Sequence, residues 1–129
     1  MSLKEIKHPA KANKDTSNDP YSGAVEVDGW LYISGQGPLV EGKIVGTTVE
    51  EQTKVVLNNI KLMLEAGGCS LSDVVKCTCY IADIRTFDEF SKTYKAHFSG
   101  VKPARTTVES KLWGGILVEI DAVARIPQK

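Results

Sequence analysis

The chain has no excess charge of either sign and no long apolar run. Its 129 residues include sixteen basic and sixteen acidic side chains, so the net charge gives no electrostatic basis for binding nucleic acid or an anionic membrane. No apolar run approaches the roughly 20 residues of a transmembrane helix, and residues 1–19 lack the apolar stretch of a signal peptide. These absences favour a cytoplasmic location and make nucleic acid and membranes poor partners.

Side chains that bind metals are few. The three cysteines, Cys69, Cys77 and Cys79, are an odd number that suits a reducing compartment. A zinc site needs about four ligands, and neither His8 nor His97 stands at ligand spacing to the cysteines. We therefore predict no metal site and expect the cysteines to belong to the core.

What is present predicts one α+β domain over residues 1–129, with 1–19 loosely ordered. Asp28-Gly29 is a strong hairpin signal, and Thr48 with Glu51 forms a capping-box pattern that Thr86 and Glu89 repeat. Alternating and helical spacings give the order β-β-α-β-α-β-β. The predicted strands are 21–27, 30–34, 74–82, 105–110 and 116–124, and the predicted helices are 49–66 and 87–98.

Two amphipathic helices can cover only one face of a sheet of about five or six strands. The other face is then apolar or half-apolar and needs a cover. Burial against a neighbouring copy of the chain is the simplest one.

The most informative stretch lies near the end of the chain, where segments 105–110 and 116–124 read as two strands joined by a short turn. Arg105 presents a planar, permanently charged fork that suits a small carboxylate. Glu119 is a candidate to hold or activate a water molecule. In a chain without a nucleotide motif, this pair indicates chemistry on a small acid.

An antiparallel pairing of the two strands predicts a register with Thr107 opposite Glu119 and Arg105 opposite Asp121, all on one face. Simpler explanations stay open for both candidates. Arg105 could form a surface salt bridge with Asp121 or Glu109. Glu119, which lies in the most apolar strand, could pair with a neighbouring lysine or arginine.

Six segments between residues 20 and 126 together resemble the YjgF/RidA family of enamine/imine deaminases, also called L-PSP endoribonucleases or translation inhibitors. Single segments are weak signals, whereas the ordered set is specific. The segments are Pro20-Tyr21-Ser22, Ile33-Ser34-Gly35-Gln36-Gly37-Pro38-Leu39, Glu51-Gln52-Thr53 with Asn58-Asn59-Ile60, Ser72-Asp73-Val74-Val75-Lys76, Lys102-Pro103-Ala104-Arg105-Thr106-Thr107-Val108-Glu109, and Leu117-Val118-Glu119-Ile120-Asp121-Ala122-Val123-Ala124.

The resemblance implies a chorismate-mutase-like α+β sandwich that forms a homotrimer. The sheets of such a trimer face inward as a central β-barrel, and the active sites lie between subunits. It also implies hydrolysis of reactive 2-imino acids to 2-oxo acids and ammonia without metal or cofactor. Arg105 would bind the substrate carboxylate and Glu119 would position water. The implied substrate-binding residues are Tyr21, Ser34, Gly35, Ser91, Thr106 and Thr107.

This sequence departs from the family pattern around the implied site. Thr107 stands where cysteine is common, and Ser91 stands where asparagine is frequent. Asp121 replaces a near-universal glutamate, Asp19 replaces the glycine before Pro-Tyr, and Gly23 replaces a glutamine. Both catalytic candidates are intact, so we expect the departures to affect the shape of the cleft and the range of substrates.

Two other functions share most of these features. One is an endoribonuclease or translation inhibitor, as a family label suggests, although the chain has neither a basic stripe nor a histidine pair for cleaving phosphodiesters. The other is a non-catalytic trimer that binds small acids, which would not need Glu119.

Overall fold

A computed structural model describes residues 2–128, whose strands form a six-stranded mixed sheet and a separate two-stranded hairpin. The first and last residues of the predicted 1–129 domain lie outside this range. The elements are β1 (Lys4–Ile6), β2 (Ala24–Val27), β3 (Trp30–Gln36), β4 (Leu39–Val40), β5 (Lys43–Ile44), α1 (Val49–Ala66), β6 (Val74–Ile81), α2 (Phe87–Lys95), β7 (Ala104–Glu109) and β8 (Val118–Arg125).

The strand order of the main sheet is β1-β2-β3-β8-β6-β7. Strands β6 and β7 run parallel, and the other neighbours run antiparallel. Helix α1 packs on β3, β8 and α2. The predicted α+β sandwich, with two helices on one face of a mixed sheet, is confirmed. Within residues 2–128, no helix has the length and apolar character to cross a membrane.

Residues 1–19 were predicted to be loosely ordered, and the structure corrects this. Lys4–Ile6 forms an edge strand paired with β2, with Ile6 buried. A short 3-10 turn follows at Pro9–Lys11. Within residues 2–19, Ile6 is the only large apolar side chain that is buried, which is too sparse a pattern to predict a strand.

Helix α1 begins where the capping box predicts. The Thr48 hydroxyl accepts from the Glu51 amide at 3.1 Å, and the Glu51 carboxylate accepts from the Thr48 amide at 3.2 Å. These bonds satisfy amides that the first turn leaves unpaired. The predicted buried stripe is confirmed, and its members are Val49, Gln52, Val56, Ile60, Met63 and Leu64.

The second predicted capping box is wrong, although helix α2 begins close to the expected place. The Thr86 hydroxyl turns back and donates to the Asp83 carbonyl at 2.7 Å, so it does not cap α2. A 3-10 turn at Ile84–Thr86, capped by Asp83, leads directly into the helix. Because this turn already occupies Thr86, the box cannot form.

The predicted hairpin of the last two strands is also wrong, because β6 lies between β7 and β8. The connecting residues 110–117 pass over the end of β6. The Ser110 amide donates to the Ile81 carbonyl, and the Ala82 amide donates to the Leu117 carbonyl, both at 3.0 Å. A connection of this length can cross one strand, whereas a tight hairpin needs only two to five residues.

The two faces of the sheet differ in cover. On the helix side lie the buried strand residues Leu31, Ile33, Cys77, Cys79, Ile81, Val118, Ile120, Ala122 and Ala124. Val75 of β6 is exposed, because a bulge between Val74 and Lys76 shifts the alternation of side chains in this strand. The other face, called here the open face, carries Val25, Tyr32, Tyr80, Val108, Val123, Thr78, Thr106, Glu119 and Asp121. It is half-apolar, as predicted.

Candidate active site

Arg105 lies on the edge strand β7, with its side chain on the helix side of the sheet. It stands opposite the buried Cys77 of β6. Its guanidinium Nη2 donates to the Ser91 hydroxyl at 2.9 Å, and its Cζ lies 4.9 Å from the centre of the Tyr94 ring. The candidate arginine is therefore held by α2 and is only partly exposed.

The salt bridges considered for Arg105 are absent from the described residues. Neither Asp121 nor Glu109 pairs with it, and none of the three ion pairs within residues 2–128 includes it. The Glu109 carboxylate instead accepts from the Ile84 amide at 2.8 Å. The positive charge of Arg105 thus has no carboxylate partner in this part of the chain.

The two threonines after Arg105 point in opposite directions. The Thr106 hydroxyl is on the open face and accepts from the Lys76 ammonium at 2.7 Å. The Thr107 hydroxyl is on the helix side, buried and without a hydrogen-bond partner within residues 2–128. The Thr107 hydroxyl is therefore closed to solvent in this chain.

Glu119 lies on the open face, opposite Tyr80 of β6. Partial burial, and then the neighbouring Asp121 carboxylate, raise the pKa of Glu119. The Tyr80 hydroxyl donates to that Asp121 carboxylate at 3.1 Å. The alternative that Glu119 pairs with a lysine or arginine finds no support among residues 2–128.

Gly35 and Ser34 lie beside Glu119 at an irregularity in β3. A Cβ atom at position 35 would lie 2.5 Å from the Glu119 carboxylate, so a larger residue there would displace this carboxylate. The bulge between Ile33 and Gln36 shifts the pairing of β3 with β8 at this point. The Ser34 hydroxyl donates to the Ser22 carbonyl at 2.6 Å.

Tyr21, Ser34 and Gly35 border a cleft of about 620 Å³. Its other wall comes from the N-terminal segment, including Lys7 and His8. The sequence interpretation gave this segment no part in the site. The sequence contains no distinctive signal for this wall, because polar and charged residues without periodicity are also typical of loops.

One chain does not bring Arg105 and Glu119 together. Arg105 shares a row with Cys77 and Ala122 on the helix side, whereas Glu119 shares a row with Tyr80 on the open face. The prediction that Arg105 and Glu119 share one face of the sheet depended on the predicted hairpin. Within this chain, the hairpin and the shared face are both wrong. Arg105 lies with Ser91, and Glu119 lies beside Gly35. Gly35 also borders the cleft with Ser34 and Tyr21, whereas neither Arg105 nor Glu119 lines that cleft.

The cysteines are core residues. Cys77 and Cys79 are fully buried on the helix side, and burial raises the pKa of Cys79 to about 12. A thiol with so high a pKa is a poor nucleophile at neutral pH. Within residues 2–128, no group of three or more His, Cys, Asp or Glu side chains is placed to hold a metal ion.

The chain belongs to the family described as Endoribonuclease L-PSP, whose sequence model matches residues 12–126. It is 44% identical over 126 residues to a RutC family protein of Saccharolobus solfataricus, covering 95% of this chain and 98% of the relative. It is 42% identical over 108 residues to the mouse protein named 2-iminobutanoate/2-iminopropanoate deaminase, covering 81% of this chain and 80% of that protein.

A solved structure gives the same result for the fold. The Rid family protein YyfA of Yersinia pestis superimposes with a TM-score of 0.87 at 35% identity, covering 97% of this chain and all of that one. The resemblance to the YjgF/RidA family is confirmed, and with it the fold class.

Proposed function

We propose that this protein is a 2-iminobutanoate/2-iminopropanoate deaminase that hydrolyses reactive enamine and imine intermediates to 2-oxo acids and ammonia. The observation that carries the proposal is Arg105, a fixed guanidinium without a carboxylate partner in residues 2–128. The name of the mouse relative supports the same reaction.

Arg105 binds the substrate by its carboxylate. A guanidinium can make two parallel, charge-assisted hydrogen bonds to the two oxygens, and these fix the plane of the molecule. The electrophilic imine carbon is bonded directly to that carboxylate. Fixing the carboxylate therefore orients the imine carbon toward the attacking water.

Glu119 positions and deprotonates this water. Its raised pKa brings the carboxylate closer to neutral pH, which makes it a better proton acceptor while it stays ionised. The water oxygen adds to the imine carbon and its proton passes to Glu119. Glu119 returns this proton to the imine nitrogen, which completes a neutral carbinolamine. Glu119 then accepts the hydroxyl proton and passes it to the amine nitrogen as the carbonyl forms, so the carbon–nitrogen bond breaks, ammonia leaves and the carboxylate is regenerated. No metal or cofactor takes part in these steps.

Because one chain holds the two groups on opposite faces, we place each active site between two protomers of a homotrimer. One protomer supplies Arg105 and Ser91, together with the backbone of Thr106 and Thr107. Its neighbour supplies Glu119 together with Gly35, Ser34 and Tyr21. The open faces meet in a central barrel, which covers their apolar residues. The cytoplasm stays the predicted location.

The proposal is tested with 2-iminobutanoate formed in situ by threonine dehydratase. We expect the purified protein to accelerate loss of the imine and Arg105→Ala to abolish the acceleration. Arg85→Ala is the matched control, because Arg85 is exposed and paired with Asp83 at 2.8 Å. Wild-type protein that matches the protein-free reaction would refute the proposal.

The same protein preparations separate the two alternatives. A protein that only binds small acids would show no turnover in wild type, and Glu119→Gln would leave its binding unchanged. For a deaminase we expect Glu119→Gln to keep binding of the acid and to lose turnover of the imine. A ribonuclease would cleave RNA without metal, independently of Arg105 and with steep salt dependence. We expect no such cleavage, since the net charge is zero.

A further inference from the structure

Helix α2 presents one continuous face to the Arg105 guanidinium. Phe87, Phe90, Ser91 and Tyr94 have the spacing i, i+3, i+4 and i+7, which aligns side chains along one side of a helix. The Arg105 Cζ lies 5.3 Å from the ring centres of Phe87 and of Phe90, and 4.9 Å from that of Tyr94. Ser91 supplies the hydrogen bond described above.

All four groups are uncharged, which has a consequence for the arginine. Aromatic faces attract a guanidinium and restrict its orientation, but they do not neutralise it. A carboxylate at the same place would form a bidentate pair and occupy the donors. Phe90 and Tyr94 are fully or nearly fully buried, so this environment is part of the packed core.

The hydrogen bond to Ser91 uses one of the five N–H donors of the guanidinium. No other side chain within residues 2–128 accepts a hydrogen bond from Arg105. Ser91 therefore fixes the rotation of the fork and leaves donors for a ligand. Serine also has a short side chain, so it leaves space beside the guanidinium.

We infer that Phe87, Phe90, Tyr94 and Ser91 are positioning residues that hold the Arg105 guanidinium with neutral groups only, so that its charge is kept for the carboxylate of a ligand. This inference rests on the proposed function for the identity of that ligand. It assigns to α2 the task of orienting the arginine without competing for it.

The decisive comparison is Ser91→Asp with Ser91→Asn, two side chains of the same shape that differ in charge. We expect the aspartate to pair with Arg105 and to weaken binding of 2-oxobutanoate, measured by calorimetry, by about tenfold or more. The Ser91→Asn side chain keeps a neutral acceptor for the guanidinium, so its loss of affinity for 2-oxobutanoate should be several-fold smaller than that of Ser91→Asp. Thermal unfolding of both variants checks that they are folded.

A second comparison tests the aromatic part. Phe87 is 38% exposed, so Phe87→Leu should fold, and loss of one cation–π contact should raise KM for the imine about two- to fivefold with a smaller change in kcat. Phe87→Trp should restore KM. Phe98→Leu is the control, since Phe98 stacks on Tyr94 without facing Arg105.

The outcomes separate this inference from the proposed function. If 2-oxobutanoate binds and Ser91→Asp abolishes binding while no imine is hydrolysed, the inference stands and the deaminase proposal falls. If the imine is hydrolysed but Ser91→Asp binds 2-oxobutanoate like wild type, the inference is overturned. Folded wild-type protein that does not bind 2-oxobutanoate overturns it as well.

Discussion

Arg105 and Glu119 are prepared for their roles by opposite surroundings. The Arg105 guanidinium has no carboxylate partner within residues 2–128, and its neighbours on α2 are aromatic rings and a hydroxyl. Glu119 is partly buried beside a second carboxylate, Asp121, and both effects make its ionised form less stable. At the scale of single residues, these surroundings suit the proposed roles, in which Arg105 binds an anion and Glu119 accepts a proton.

The tuning of Glu119 predicts a shift in the pH profile. Asp121→Asn removes one of the two causes that raise the Glu119 pKa and keeps an oxygen for the Tyr80 hydroxyl. The pKa of Glu119 should therefore fall, and kcat/KM for the imine should persist to lower pH than in wild type. Glu65→Gln, at the far end of α1, serves as control. A profile that is unchanged or shifted to higher pH would contradict this role for Asp121.

At the scale of elements, α1 is the best-specified part of the fold. Its capping box closes the first turn, and its apolar stripe packs on β3 and β8. We expect Thr48→Ala to lower the free energy of unfolding by about 1 kcal/mol, measured from the urea midpoint at constant slope. Thr48→Ser keeps the hydroxyl acceptor and should retain most of the stability. Equal losses in the two variants would show that the cap contributes little.

Local signals explain why α1 could be predicted from the sequence and the last two strands could not. Thr48, Glu51 and the helical stripe all act within a few residues of one another. The position of β6 between β7 and β8 is instead a matter of topology, decided by contacts distant in sequence. The short segment 110–117 resembles a hairpin loop, and its path over β6 leaves no local signal.

The same distinction applies to the candidate site. Arg105, Glu119 and the residues around them were selected by type and by family resemblance, and the structure shows surroundings that suit each. Their separation onto two faces depended on the register with β6, which the sequence does not report. Thr86 failed as a cap for a different, local reason, since its hydroxyl donates to the Asp83 carbonyl in an adjoining 3-10 turn.

For the whole molecule, the open face is the largest feature that a single protomer leaves unexplained. It combines apolar side chains such as Tyr32 and Val123 with the polar group around Glu119. Water-exposed apolar surface of this kind commonly marks an interface. A closed trimer would cover it and would also bring the two groups of site residues together.

Assembly through the open face can be tested by introducing one negative charge on that face. Tyr32→Asp should shift the mass measured by light scattering from a trimer toward a monomer, because a buried unpaired carboxylate opposes association. Val40→Asp is the control, since Val40 is 50% exposed against 49% for Tyr32 but lies on the β4–β5 hairpin. A Tyr32→Asp protein that stays trimeric would place the interface elsewhere.

The most direct test of a site shared between protomers is complementation. Arg105→Ala and Glu119→Gln are each expected to be inactive on 2-iminobutanoate. When the two are unfolded together in equal amounts and refolded, random assembly should give about one quarter of the sites both intact groups, and about that share of wild-type activity should return. If the mixed trimers remain inactive while wild-type protein regains activity after the same treatment, the two residues do not act across a subunit boundary.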